Sequence, residues 1–360
     1  MSSSSFLHLP GDVPLELPEA APADEVTIGP GAATGIGSWP GTEVVETMRL
    51  MFGELGEPPA FPYLPELPAR GPGADLIGRG AGLLVDLPVD LQPSGWRLVD
   101  HPGRDHNRTR AWLRQDLDVL AEVGDGYEGL LKLQVTGPWT LAANLELPRL
   151  ERVVVDPGAV RDLIASLAEG VLQHLEEVRR LVPRARLILQ VDEPSVQAVM
   201  EGSLRTASGF GRLRAVEEPV VVEGLRTVLE AAGRGGAVQT VIHSCASKPP
   251  VDVLVRTGAS ALSLDVSKLG TQRWEQLAEA TENGTGLWAG VVPASGAVRP
   301  EAAADAIWTP WRKLGLAPEP AANVVVTPAC GLAGSSPQQA RSALRVAREA
   351  ARILTERALG

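Results

Sequence analysis

The sequence predicts an α/β fold, a single (β/α)8 TIM barrel preceded by an extended arm, and two observations carry that expectation. About eight apolar runs of strand length alternate with amphipathic runs of helix length, the pattern of a parallel sheet with crossover helices. The residues with the most distinctive chemistry fall where the strand-like runs end, which is where barrel loops build their sites. At 360 residues the chain has room for one large barrel or two average domains, and no internal repeat marks a boundary. The rival is a doubly wound open sheet. Its dinucleotide-binding form is weakened because no G-x-G-x-x-G follows the first strand-like run.

In chain order, residues 1–27 hold four consecutive serines, prolines and acidic residues without periodicity, and read as an arm outside the barrel of residues 28–360. A first strand begins near Thr27-Ile28 and runs out into Ile36-Gly37-Ser38-Trp39. A helix follows over about 42–52, then a proline- and glycine-rich irregular connection over 57–75, of the kind that forms functional lids. Leu83-Leu84-Val85-Asp86 is a short strand candidate. Residues 108–123 read as a helix with Trp112, Leu113, Leu117 and Leu120 on one face. Strands are expected over 130–135, 186–191, 238–243, 261–264, 286–292 and 324–327. Helices are expected over 157–182, 218–232, 251–257, 272–281, 301–314 and 337–355.

Composition narrows the function classes. A net charge of −11 argues against a nucleic-acid or anionic-membrane surface, which would be basic. Two cysteines are too few for a disulfide framework and point to a reducing, cytoplasmic setting. No apolar run approaches the roughly 18 residues of a membrane span. Met1 to Pro10 lacks the basic segment and apolar core of a secretory signal.

The chemistry centres on Val241-Ile242-His243-Ser244-Cys245. Alternate side chains of a strand share a face, so His243 and Cys245 project together from one strand end. An imidazole and a thiolate are a zinc-type ligand pair. The second cysteine, Cys330, ends a similar apolar run, and Asp265 ends the run after that of His243. The bland alternative is two inert buried cysteines, a satisfied histidine and an Asp265 that caps a helix. Two thiolates and a carboxylate would give a zinc centre of low Lewis acidity, suited to thiol alkylation rather than hydrolysis. Asp192-Glu193-Pro194 puts paired acids at another strand end, fit for a substrate ammonium or for a helix start. Ser38, with the amides around Gly37, is a candidate carboxylate binder. Trp39 and Trp139 follow strand ends and are candidates to line a pocket. His101 and His106 read as loop histidines, His174 as structural, and Trp308 and Trp311 as packing.

Together, Ile36-Gly37-Ser38, Val135-Thr136-Gly137-Pro138, Gln190-Val191-Asp192-Glu193-Pro194, His243-Ser244-Cys245, Asp265 and Pro328-Ala329-Cys330-Gly331-Leu332 resemble the catalytic barrel of the cobalamin-independent methionine synthase family, over about residues 30–360. The resemblance implies a methyltransferase in which Zn2+ activates the thiol of homocysteine for attack on the methyl group of a methylated folate. It implies that His243, Cys245 and Cys330 are zinc ligands, with Asp265 where the family commonly has a glutamate. Ile36 and Ser38 match residues that hold the amino-acid portion, and Asp192 matches the carboxylate that binds its ammonium.

The sequence departs from the family in three further places. Pro293 and Ser295 stand where the family carries Asp-x-His, so Ser295 occupies the proton-donor position. The extra N-terminal barrel of the long form has no counterpart, so the likeness is to the shorter core form, with a methyl-folate or a corrinoid carrier as donor. A family glutamate near the second strand has only Asp86 as a positional counterpart. The alternatives are a uroporphyrinogen decarboxylase-like barrel and a non-catalytic zinc- or thiol-binding relative. No nucleic acid or membrane partner is expected.

Overall fold

The computed structural model of the protein describes residues 28–149 and 151–360. The expected arm at 1–27 lies outside the described residues. The elements run α1 (Val44–Leu55), α2 (Leu76–Ala81), β1 (Val89–Gln92), β2 (Gly95–Leu98), α3 (Arg104–Val123), β3 (Leu130–Thr136), α4 (Pro138–Asn144), α5 (Pro157–Leu181), β4 (Arg186–Asp192), α6 (Val196–Met200) and α7 (Glu218–Arg234). They continue with β5 (Ala237–Ser244), α8 (Val251–Val255), β6 (Ala261–Asp265), α9 (Thr271–Glu282), β7 (Gly286–Val292), α10 (Pro300–Lys313), β8 (Val325–Pro328) and α11 (Pro337–Leu359).

Strands β3 to β8 form one parallel sheet in sequence order, a curled half-barrel with helices on its outer face. Their apolar runs are buried on both faces, as a helix-covered parallel sheet requires. The register brings the strand ends level: Thr136 pairs with Asp192, and Asp192 with His243. Two extended segments bridge the sheet's edges. Ala33 forms a parallel bridge with Val326, and Tyr63 one with Lys132. Between the segments, the Phe61 amide donates to the Ala33 carbonyl at 3.2 Å. The first expected strand and the run around Tyr63 are therefore isolated bridges rather than regular strands. Pro59, Pro62 and Pro65 carry no N–H, which leaves the second segment too few donors for a ladder.

The expected strand at Leu83-Leu84-Val85-Asp86 is a turn instead, with Asp86 at φ 57°. Its carbonyls find partners on α5 rather than on a neighbouring strand. Ser166 Oγ donates to the Val85 carbonyl at 2.6 Å. A Cβ on Gly170 would lie 1.8 Å from the Leu83 oxygen, so only glycine admits this crossing. The β1–β2 hairpin and the short helices α2, α4 and α6 were not expected from the sequence. Long α5 and α11 start as their sequences dictate: Asp156 accepts from the Gly158 and Ala159 amides ahead of Pro157, and Ser336 with Gln339 forms a capping box. Among the described residues, no helix is long and apolar enough to cross a membrane.

Two apolar clusters divide the core. The large one lies between sheet and helices. The small one takes Ala32, Phe61, Ile188, Val241, Ala261, Trp288 and Val325, mostly one residue from each successive strand or bridging segment, and plugs the concave side of the sheet. Phe61 meets Trp288 edge-on with ring centroids 5.5 Å apart. Side chains two and four residues further along share the plug's face. They change from apolar to polar: Gln190 and Asp192 follow Ile188, His243 and Cys245 follow Val241, Ser263 and Asp265 follow Ala261, and Thr327 follows Val325. The floor of the site is thus the plug, and its walls are the same strands continued.

Candidate active site

His243, Cys245 and Cys330 bring one ligand atom each to within 4.8 Å of one another. His243 comes from β5, Cys245 from the residue just after that strand, and Cys330 from the loop after β8. The Nδ1 of His243 lies 3.1 Å from the Ser263 carbonyl and 3.0 Å from its hydroxyl. A carbonyl only accepts, so Nδ1 carries the hydrogen and Nε2 is the nitrogen left to meet a metal. The two thiols hydrogen-bond to each other. That bond, then the one to His243, holds Cys330 down at about 4; the same contact, then burial, pushes Cys245 up. One sulfur is thus ready as a thiolate while its neighbour keeps the proton. A buried imidazole beside two half-buried sulfurs fits a tetrahedral soft-metal ion such as zinc.

Asp265 is not part of this group. Its carboxylate accepts from the Ser267 amide at 3.2 Å and the Ser267 hydroxyl at 2.5 Å, and pairs with Lys268 at 2.8 Å. Lys268 also donates to the Cys245 carbonyl at 3.2 Å. The capping alternative describes where the side chain is: local donors hold the short aspartate arm.

The sulfurs and His243 open onto a cavity of about 190 Å3. Ile36, Gly37, Ser38, Glu66, Leu76, Asp192, Pro194 and Gly331 complete its lining, and Ser38 forms a parallel bridge with Glu66. The Ser38 loop and the Cys330 loop are stitched together, since the Leu332 amide donates to the Ser38 carbonyl at 2.9 Å. A Cβ on Gly331 would come within 2.1 Å of Ser38 Oγ, so a larger residue after Cys330 would push the Ser38 hydroxyl aside.

Behind the cavity lies a buried polar network. Gln190 Nε2 donates to Asp192 Oδ1 at 2.7 Å and to the Ile36 carbonyl at 2.9 Å. Lys132 Nζ donates to the same carbonyl at 2.7 Å and to Gln134 Oε1 at 3.1 Å. Gln134 Nε2 in turn donates to Glu66 at 3.1 Å. Arg79 Nε stands 3.6 Å from Glu66 and also pairs with Asp116, which binds Arg70 at 2.8 Å. Three cations thus balance the three anions Asp192, Glu66 and Asp116. Burial pushes Asp192 up to about 7, opposed by the neighbouring His243, raises Glu66, and pulls Lys132 down to about 7.

Glu193 turns away from the cavity. Its carboxylate accepts from the Trp139 amide at 2.8 Å, the Thr140 amide at 2.9 Å and the Thr140 hydroxyl at 2.7 Å. It caps α4, whose own N-cap residue, Gly137, has no side chain to do so. Burial nonetheless pushes Glu193 up to about 8. Of the Asp192-Glu193 pair, one acid faces the site and the other holds a helix.

The remaining expectations divide. Ser295 sits exposed in the loop after β7 and does not line the cavity. Asp86 lines a separate groove between α3 and α5, and the buried glutamate of the site is Glu66. Trp139 faces outward and donates through Nε1 to the Val221 carbonyl at 3.0 Å, while Trp39 packs in the outer core, so neither lines the site. His106 and His174 are buried beside the same groove as Asp86, and burial takes His174 down to about 3. Sequence reasoning missed Glu66, Lys132, Gln134 and Gln190. The signal for three of them was present: polar residues at period two inside the apolar runs Leu131–Thr136 and Leu187–Asp192 mark an inward polar face.

The profile of the cobalamin-independent synthase catalytic domain matches residues 130–353. The chain belongs to that family. This membership sets aside the decarboxylase-like alternative and gives a corrinoid carrier no support. A B12-independent methionine synthase from Shewanella sp. W3-18-1, solved with selenomethionine, superposes with a TM-score of 0.60 at 12% identity, over 91% of this chain and 98% of that one. At that identity the likeness shows a shared fold. A putative fructose-1,6-biphosphate aldolase from Coccidioides immitis reaches a TM-score of 0.28 at 13% identity over 67% of this chain and 82% of that one, too low to support an argument. No curated protein matches.

Proposed function

We propose that this member of the cobalamin-independent synthase family is a zinc-dependent methyltransferase that moves a methyl group from a methylated folate to the thiol of homocysteine, forming methionine. One observation carries the reading: a three-donor soft-metal group and two buried carboxylates share a cavity of about 190 Å3, the scale of a small amino acid. His243, Cys245 and Cys330 would hold the ion, leaving one position of a four-coordinate site for a substrate sulfur. Zinc, when bound, keeps a substrate thiol deprotonated at neutral pH. Glu66 and Asp192 bind the ammonium, and the Ser38 loop receives the carboxylate. The side chain of Ile36 lines the cavity while its carbonyl is taken by Lys132 and Gln190. The bridging segments around Ala33 and Tyr63 stand as the first two members of a (β/α)8 barrel spanning residues 28–360.

In the transfer, the new S–CH3 bond forms as the donor's N–CH3 bond breaks, and the departing nitrogen takes a proton. An exposed hydroxyl at Ser295 is a weak proton source, so solvent supplies it. That exposure favours a second reading, a zinc and thiol binder without turnover. Methyl transfer to L-homocysteine from methylated folates with one and several glutamates, alongside zinc content, tests both. Zinc-loaded protein that binds homocysteine and forms no methionine supports the binder; protein that takes up no zinc sinks both readings.

A further inference from the structure

Lys132 is a lysine with no exposed surface, in the middle of a barrel strand. Nothing in the chemistry proposed above uses it. Placing an ammonium there is costly unless its donors are matched, and here they are. It donates to Gln134 Oε1 at 3.1 Å and to the Ile36 carbonyl at 2.7 Å, and sits 5.1 Å from the centre of the Tyr63 ring. The two hydrogen bonds lead to the cavity. The bond to Gln134 Oε1, together with that of Nε2 to the Leu64 carbonyl at 2.7 Å, fixes which end of that amide is which, so Nε2 faces Glu66 at 3.1 Å. The bond to Ile36 is shared with Gln190, whose same Nε2 holds Asp192 at 2.7 Å. Ile36 also begins the loop of Gly37 and Ser38 that lines the cavity.

We infer that Lys132 is the positioning residue of the amino-acid pocket: one buried ammonium holds the amide that meets Glu66, and it shares with Gln190, the donor to Asp192, the Ile36 carbonyl that anchors the loop of Gly37 and Ser38. This rests on the reading of the cavity as an amino-acid site. Lys132 touches no zinc-type ligand, so its role concerns the ammonium and carboxylate of the substrate, not its sulfur.

Lys132→Met keeps the length and removes the charge and donors. Loss of the ammonium strips the Ile36 carbonyl of one of two donors and Gln134 Oε1 of its donor, so the loop and the amide that meets Glu66 are held less firmly, and the buried carboxylates lose one nearby cation. Titration calorimetry on the zinc-loaded full chain compares L-homocysteine with 1-propanethiol, which has a thiol but neither ammonium nor carboxylate. The expected result for Lys132→Met is one zinc per chain, unchanged propanethiol affinity, and homocysteine affinity about ten- to a hundredfold lower. A general loosening of the fold would instead weaken both ligands or release zinc. Unchanged homocysteine affinity, or an equal loss for both thiols, overturns the inference. Should Lys132→Met fail to fold, Gln134→Leu cuts the same link to Glu66 and is read by the same two outcomes. Wild-type protein that binds both thiols equally removes the amino-acid reading, and this inference with it.

Discussion

Glu66→Gln isolates what one buried carboxylate contributes to recognition. The substitution preserves shape and keeps an oxygen that accepts from Gln134 at 3.1 Å. Arg79 loses a partner at 3.6 Å but retains Asp116, so no cation is left alone. Burial already raises the Glu66 carboxyl, which means the fold bears a desolvation cost for this charge. Replacing it with an amide therefore leaves unfolding free energy within about 1 kcal/mol of wild type. Recognition responds differently. A hydrogen bond to a charged group contributes about 1.5–3 kcal/mol, so losing its charge weakens homocysteine binding by roughly tenfold to 150-fold. Zinc content and 1-propanethiol affinity should not move, because Glu66 is not among the ion's ligands. Calorimetric titration of zinc-loaded wild type and variant with the two thiols provides the assay. Homocysteine affinity unchanged in Glu66→Gln would refute the assignment of Glu66 to the substrate ammonium.

Cys330→Ser should lower zinc affinity by more than the about 10- to 100-fold that follows loss of a ligand's hydrogen-bond support, whereas Ser263→Ala, which leaves the carbonyl at 3.1 Å from His243, should cost about tenfold or less; competition with a chromophoric chelator ranks the two, and the reverse order contradicts the ligand set. With Asp192 raised to about 7, its anion grows as pH rises through that value, so the ratio of homocysteine to propanethiol affinity should increase from pH 6 to 8 and flatten in Asp192→Asn; a ratio that is flat in wild type counts against Asp192. Glu193→Gln leaves one α4 amide without its acceptor and should lower unfolding free energy by about 1–3 kcal/mol in urea titrations. Because the folded Glu193 value of about 8 lies above its ordinary 4.5, its contribution is complete below 4.5 and is lost as pH rises to about 8. That decline should be smaller in the variant, and an unchanged pH profile would show that Glu193 does not carry it.

Period-two and longer-period patterns in the sequence determined the parallel strands and long helices, because each is a local consequence of which face an apolar residue presents. β7 was anticipated at its observed bounds, and α5 to within one residue. His243 and Cys245 were legible as a pair because they lie two residues apart where an apolar run ends, and the structure keeps them together although Cys245 falls just past β5. The trio with Cys330 was reachable through family resemblance, since strand order rather than sequence spacing unites β5 with the loop after β8.

What only the tertiary structure decided depends on who meets whom. Asp265 and Asp192 both end strands, yet local donors capture one and Gln190 turns the other to the cavity. Glu193, beside Asp192 in sequence, crosses to cap α4 because Gly137 leaves that helix start without a side chain. Leu83–Asp86 has strand-like composition but finds its acceptors' partners on α5, so it never joins a sheet. Glu66 hides in a proline-rich stretch with no periodicity, and joins the site because it bridges to Ser38 and its segment to Lys132 and Ala33. Propensity and periodicity are properties of neighbours along the chain. The carboxylates, the amides that aim them and the lysine behind them meet only when the sheet curls, and no local pattern encodes that closure.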